Sequence, residues 1–263
     1  MPPETPDDGP SIDGTRLSRA RYLQAWDADL EALAAASSDL QRDVPSCPGW
    51  LVRDLVEHVI GVYRHKIVAL ETGSAPPPRD DPWGALDPDD DPVVVLLATY
   101  AELRALLLAR PDSAVAWTWW PPEQTVGFWV RRMAQETAVH RWDAQAAAHG
   151  VDGAEPIDDD VATDGVDELL GWLRWEWPAE AAQDGADGQR VQVSTSVHDW
   201  VVTLHPTQAR VDPGTADDVV AMLAAAPSDL VLHLWGRPAE GVATTGDLEA
   251  LRLLRERLAA STD

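Results

Sequence analysis

Apolar residues recur at helical spacing through the first 150 positions of the chain. Leu17, Tyr22, Leu23, Trp26, Leu30 and Leu33 predict an amphipathic helix between Thr15 and Ser37. After a loop marked by Pro45 and Pro48, the series Leu51, Leu55, Val56, Val59, Ile60, Val62, Tyr63, Ile67 and Leu70 predicts a second helix. It opens at Trp50 and is closed by Gly73 and the prolines that follow. The acidic, proline-rich stretch from Ser74 to Pro92 carries no period and reads as a long surface connection. A third helix is predicted from about Val93 to Leu108. A tryptophan-rich turn, Trp117 to Pro122, then leads into a fourth from about Val126 to His149, bounded by Gly150. Four helices of this length pack as a bundle, which places one domain at residues 15–150. Residues 1–14, acidic and rich in proline without apolar periodicity, read as a solvated tail outside the fold.

Beyond Pro156 the texture changes. One further helix is predicted over Val161 to Trp175, followed by a turn at Gly185 to Gly188. Alternation in Val191, Val193 and Thr195, and again from Trp200 to Leu204, predicts two strands joined at His198 and Asp199. The remaining expectations are a helix from Ala216 to Ala225, a strand in the apolar run Leu230 to Trp235, a short strand near Val242 to Thr244 and a final helix from Asp247 to Ala260. The chain is therefore expected to be α+β: a four-helix bundle followed by a smaller α+β domain, residues 158–263, with a short sheet.

Charge narrows the partners. Twenty basic residues against 45 acidic ones give a formal charge of -25, which repels phosphate backbones and anionic lipid surfaces, so neither nucleic acid nor membrane is expected. No apolar run approaches the roughly 20 residues needed to cross a bilayer. The lone cysteine, Cys47, cannot form an internal disulfide and no signal-like N-terminal stretch is present, which predicts a cytoplasmic protein.

The chemistry concentrates in the helices. Glu136 and His140 are four residues apart, so both leave one face of the fourth helix about a turn from each other, a spacing that suits a shared metal ion. His58 in the second helix is the candidate third ligand. It sits among Leu55, Val56, Val59 and Ile60, beside the face expected to turn inward, and an ordinary hydrogen-bonded core histidine would occupy the same position. His65 competes for the role but is flanked by Arg64 and Lys66, which suggest a wetter stretch.

Two segments carry a family resemblance. Val44-Pro-Ser-Cys-Pro-Gly-Trp-Leu-Val-Arg-Asp-Leu-Val-Glu-His58, followed by Gln135-Glu-Thr-Ala-Val-His-Arg-Trp-Asp143, resembles the mycothiol-dependent maleylpyruvate isomerase family of DinB-like proteins in both motifs and in their order. Trp200-Val-Val-Thr-Leu, Ser228-Asp-Leu-Val-Leu-His-Leu-Trp-Gly-Arg237 and Gly246-Asp247 look like the sterol-carrier-like second domain of the same family. The resemblance implies that His58, Glu136 and His140 bind zinc or a similar divalent ion, and that the thiol cofactor is mycothiol. It further implies that the thiol sulfur adds to the activated double bond of a maleylpyruvate-like acid, with rotation and thiol loss giving the trans isomer.

Three protein ligands leave a coordination position open, and a metal-bound thiol is deprotonated at neutral pH, so the chain needs no nucleophilic cysteine. A carboxylate-bearing substrate needs local positive charge in so acidic a chain. Arg237 is the candidate, read as the end of the strand Leu230 to Trp235 where a guanidinium can hold a carboxylate through two hydrogen bonds. Arg53 and Arg141, close to the proposed ligands, are weaker candidates. Cys47 lacks a histidine or asparagine arrangement that would activate it. Trp117, Trp119, Trp120 and Trp129 could line an apolar pocket or belong to the core. A thiol S-transferase acting on another electrophile, or a regulatory protein that retains the metal without catalysis, is compatible with the same residues.

Overall fold

The structure, a computed structural model, describes residues 15–77 and 83–262. It divides into two compact units, one spanning Leu17–Glu155 and the other residues 156–262 with residues 15 and 16. The architecture is α+β, as expected: a bundle of long helices, then a unit built on a short sheet.

Helices α1 (Arg19–Ala36), α2 (Val52–Thr72), α3 (Pro92–Leu108) and α4 (Val126–His149) make up the first unit. Each boundary has a local cause. Ser18 and Thr125 cap α1 and α4 through their hydroxyls, and Asp91 caps α3 with Pro92 in the first turn. Asp54 accepts from the Leu51 backbone N–H at 2.8 Å at the start of α2. Gly73, at a φ of 65°, ends that helix in the left-handed conformation glycine adopts without a Cβ clash.

The apolar faces meet in one core that includes Trp26, Leu55, Ile60, Leu103, Trp129 and Met133, all fully buried. Each such side chain contributes about 1.5–3 kcal/mol by leaving water. Polar atoms inside are paired. Trp26 Nε1 donates to Tyr63 Oη at 2.9 Å, Tyr63 Oη meets Thr137 Oγ1 at 2.6 Å, and Thr137 Oγ1 bonds the Met133 carbonyl at 2.7 Å. That chain ties α1, α2 and α4 together and sets which residues of α2 face α4.

The connection between α2 and α3 differs from expectation. Residues 83–86 do not run free over the surface but dock on α2. Arg64 Nη1 donates to the carbonyls of Trp83 and Ala85 at 3.2 and 2.9 Å, and Leu86 packs on the core. The approach is close enough that only glycine fits on both sides. A Cβ on Gly61 would meet Gly84 N at 2.9 Å, and one on Gly84 would run into the Glu57 carbonyl oxygen.

In the second unit α5 (Asp159–Trp172) is followed by strands β1 (Arg190–Ser194), β2 (Asp199–Leu204), β3 (Ala209–Pro213) and β4 (Ala221–Ala224), then α6 (Pro227–Leu234), β5 (Ala243–Gly246) and α7 (Leu248–Thr262). The five strands form one sheet in the order β3-β2-β1-β4-β5. It is antiparallel except for β1 with β4, where Val191 pairs with Ala221 and Val193 with Leu223.

Two expectations are overturned. Ala216 to Ala225 is not a helix: Asp217 and Asp218 turn, and Ala221 to Ala224 form β4, because a central strand between β1 and β5 satisfies more backbone than an isolated short helix would. Leu230 to Trp235 is not a strand but most of α6, started by Pro227 and Asp229. Its Leu230, Val231 and Leu234 fall on one buried helical face against α5. Strand β3 has no counterpart among the expected elements, since Ala209-Arg-Val-Asp-Pro offers almost no apolar alternation. Among the described residues no helix is long and apolar enough to cross a membrane.

Candidate metal centre

Helices α2 and α4 pass each other so that His58 faces Glu136 and His140. Glu136 Oε1 lies 3.3 Å from Nε2 of His58 and 3.3 Å from Nε2 of His140. The two imidazole rings are 4.9 Å apart between centroids, and one ligand atom from each residue lies within 4.8 Å of the others. The structure thus brings together the three residues singled out from sequence. The second oxygen of Glu136 is held elsewhere, accepting from Arg132 Nη2 at 3.1 Å one turn earlier, which turns Oε1 toward the histidines.

Asp143 supports the cluster from behind. His140 Nδ1 donates to Asp143 Oδ2 at 3.0 Å, so Nε2 is the nitrogen presented toward Glu136. Asp143 is fully buried, and its other oxygen accepts from Ser46 Oγ at 2.5 Å. Ser46 is delivered by the loop before α2. That loop closes on itself through Val44 N to Trp50 O at 2.9 Å and Cys47 N to Val44 O at 3.0 Å, with Gly49 at a φ of 85°. The run Val44 to Trp50 thereby aims a hydroxyl at the carboxylate that orients His140. Cys47 Sγ lies 3.9 Å from Asp143 Oδ2, at the edge of the same network.

Charges in the cluster complement one another. Burial alone would raise the Glu136 carboxyl, but hydrogen bonds from His140 and His58 and the charges of His140 and Arg132 outweigh it and hold the group well below the usual carboxylate range. In His140 burial disfavours the cation, yet the bonds to Asp143 and Glu136 prevail and push its pKa up to about 9. Two imidazoles and a carboxylate on two rigid helices, one imidazole backed by a carboxylate, are a donor set that fits a divalent transition metal, zinc foremost, with a position left for another ligand.

A cavity of about 470 Å³ opens beside His58 along α2. Its aromatic walls are Trp50, whose ring centroid is 5.1 Å from that of His58, and Trp83 from the docked connection. Lys66 and His65 line the end two turns further along α2. The wet stretch expected around Lys66 is not found, for the residue is only 5% exposed. His65 contacts the rings of Trp83 and Trp117 and stays outside the histidine–glutamate cluster.

The remaining candidates do not line this cavity. Trp129 is core, donating to the Trp117 carbonyl at 2.8 Å, and Trp117, Trp119 and Trp120 are not among the described residues that form the cavity wall. Arg141 bonds Asp29 at 3.0 Å and Arg53 bonds Glu57 at 2.7 Å. Arg237 lies in the second unit, just beyond α6 rather than at a strand end, and donates to the Trp235 carbonyl at 2.8 Å. Sequence reasoning gave no role to Asp143, Ser46, Lys66 or Trp83. Asp143 carried a usable signal, being three residues after His140 on the same helix.

Residues 20–145 match the family model described as the mycothiol maleylpyruvate isomerase N-terminal domain. A crystal structure of the mycothiol-dependent maleylpyruvate isomerase is similar at a TM-score of 0.57 and 14% identity, covering 88% of this chain and 95% of that one. A histidine-to-alanine mutant of the mycothiol-dependent maleylpyruvate isomerase is similar at a TM-score of 0.59 and 13% identity with the same coverage. At such identities the likeness is one of fold. No curated protein sequence matches the chain significantly.

Proposed function

Since the N-terminal unit of this chain belongs to the mycothiol maleylpyruvate isomerase N-terminal domain family, we propose that the protein is a mycothiol-dependent enzyme isomerising a maleylpyruvate-like acid at a zinc or similar divalent ion held by His58, Glu136 and His140. The observation that carries this reading is the convergence of those three donors, within 4.8 Å of one another, from two helices. A divalent ion held there would keep a bound thiol as its thiolate at neutral pH, which is the chemistry a thiol-dependent isomerisation requires.

The protein's own groups do the rest. Asp143, anchored by Ser46, holds His140 in the tautomer that offers Nε2, and Arg132 fixes the rotation of Glu136. The cavity beside His58, walled by Trp50 and Trp83, is the place for the electrophile. We retain Arg237 as a substrate-binding arginine of the second unit. Arg237→Lys then lowers kcat/KM roughly ten- to hundredfold with metal content unchanged. Unchanged kinetics in both Arg237→Lys and Arg237→Ala would remove that role.

The test supplies zinc-reconstituted protein with mycothiol and maleylpyruvate and follows the substrate by absorbance and the free thiol by titration. Turnover with free thiol undiminished supports the isomerase. Thiol consumed in step with the electrophile would make the protein an S-transferase instead. No reaction from metal-replete protein would leave a binding or regulatory role and overturn the proposal.

A further inference from the structure

The cavity beside His58 is electrically uneven. Asp54 and Glu57 stand at the end nearer the start of α2, whereas Lys66, the chain's one lysine, stands at the other. The whole Lys66 residue is only 5% exposed, and burying an ammonium is costly unless it meets something that repays its lost hydration. Its head is held in place: Nζ lies 3.1 Å from His65 Nδ1 and 4.9 Å from the centroid of the Trp129 ring. With Nδ1 accepting from the ammonium, neutral His65 carries its proton on Nε2.

Trp83, from the segment docked through Gly84 and Arg64, lines the same end, its ring centroid 5.7 Å from that of His65. The Trp83 Nε1–H is shut off from solvent, so the indole meets the cavity through its ring rather than through that donor. Eight residues of α2 separate His58 from Lys66, roughly 12 Å of helix rise. An acid held at Lys66 therefore extends along α2 toward His58.

We propose that the Lys66 end of this cavity is an anion subsite, in which the Lys66 ammonium holds a carboxylate of the substrate while its reactive carbon lies toward His58. The assignment of that carboxylate to the substrate rests on the function proposed above; the subsite itself does not. Lys66 here binds a part of the substrate that does not react.

The probe is succinate, an unreactive dicarboxylate, with succinamide as its uncharged counterpart, titrated into metal-free and zinc-loaded protein. Because the chain has one lysine, protein labelled with ¹³C-lysine gives a single Cε signal that reports Lys66 alone. Succinate is expected to shift that signal saturably and succinamide is not. Lys66→Met is expected to weaken succinate binding tenfold or more, with Lys66→Arg restoring part of it. In turnover Lys66→Met should raise KM more than it lowers kcat.

An unmoved Cε signal at saturating succinate in the unmodified protein would overturn the subsite, whatever the folding of the variants. An equal succinate affinity in folded Lys66→Met would do the same. If succinate binds at Lys66 and no isomerisation is found, the proposed function fails and the subsite stands. If isomerisation is found with Lys66 untouched, the reverse holds.

Discussion

Asp143 offers the sharpest test of how the metal centre is built. The residue is fully buried, takes His140 Nδ1 at 3.0 Å and Ser46 Oγ at 2.5 Å, and makes no direct contribution to the donor set. Asp143→Asn preserves shape and hydrogen-bond count, since the amide oxygen still accepts from His140 and the amide nitrogen can donate to Ser46. What it removes is the negative charge that makes His140 Nε2 a stronger donor. Replacing an orienting partner of this kind typically costs 10- to 100-fold in metal affinity, about 1.4 to 2.8 kcal/mol. Fold stability should fall by no more than about 1–3 kcal/mol, the cost of exchanging one buried charge-assisted bond for a neutral one. Zinc affinity is measured by competition with a chromophoric chelator, with chemical denaturation as the control. A second titration above the value of about 9 to which His140 is raised removes competition from its proton, which the same carboxylate also strengthens. Zinc affinity within twofold of the unaltered protein at both pH values would refute the supporting role of Asp143.

Three further outcomes are expected. His58→Ala and His140→Ala should lose stoichiometric zinc while keeping their helical circular dichroism, with Glu136→Gln milder because the amide keeps an oxygen ligand; full zinc by metal analysis in both histidine variants would dismiss the site. Gly84→Ala, whose Cβ would run into the Glu57 carbonyl, should cost about 1–3 kcal/mol and weaken ligand binding in the cavity, so a melting temperature and succinate affinity equal to those of the unaltered protein would show the close approach to be unimportant. Burial raises the pKa of Asp27, but hydrogen bonds from Arg104, at 2.8 Å to each oxygen, and from Tyr100 lower it overall. Its stabilisation is therefore present above the ordinary carboxylate value and lost as pH falls through the depressed one. Asp27→Asn should be less stable by up to about 1 kcal/mol at pH 7, the pair being part-exposed, and should match the unaltered protein in strong acid; a gap that does not change with pH would contradict this.

The helices of the first unit are legible because their ends are written locally. Thr125 and Gly150 bracket α4, Asp91 and Pro92 start α3, and Gly73 stops α2, so period and punctuation agree. In the second unit they part company. Four residues of β4 and eight of α6 are too few for either period to declare itself, and the sheet decides between them by offering Ala221 and Leu223 partners on both sides. The site divides the same way. Glu136 and His140 share a helix and can be paired by counting, whereas Ser46 lies 97 residues from Asp143 and Trp83 reaches α2 only through the fit of Gly84 against Glu57. Lys66 defeats a reading from sequence for a related reason. Flanking polar residues say little about a position on a helix, where the neighbours in space are three and four residues away and, across on α4, Trp129.

A formal charge of -25 and a proposed anion subsite are compatible because they act over different ranges. At physiological ionic strength the Debye length is about 8 Å, so much of the repulsion from surface carboxylates on far parts of the chain is screened before an anion enters the cavity. Inside, screening weakens and the nearest groups dominate; among the lining side chains these are Lys66 at one end, Asp54 and Glu57 at the other. Both acids are themselves engaged, Asp54 with the Leu51 N–H and Glu57 with Arg53. Among the charged side chains that line this cavity, a carboxylate thus gains most at Lys66 and least near Asp54. The same polarity that would hold the acid also orients it, directing its far end toward His58 without requiring a positively charged protein surface.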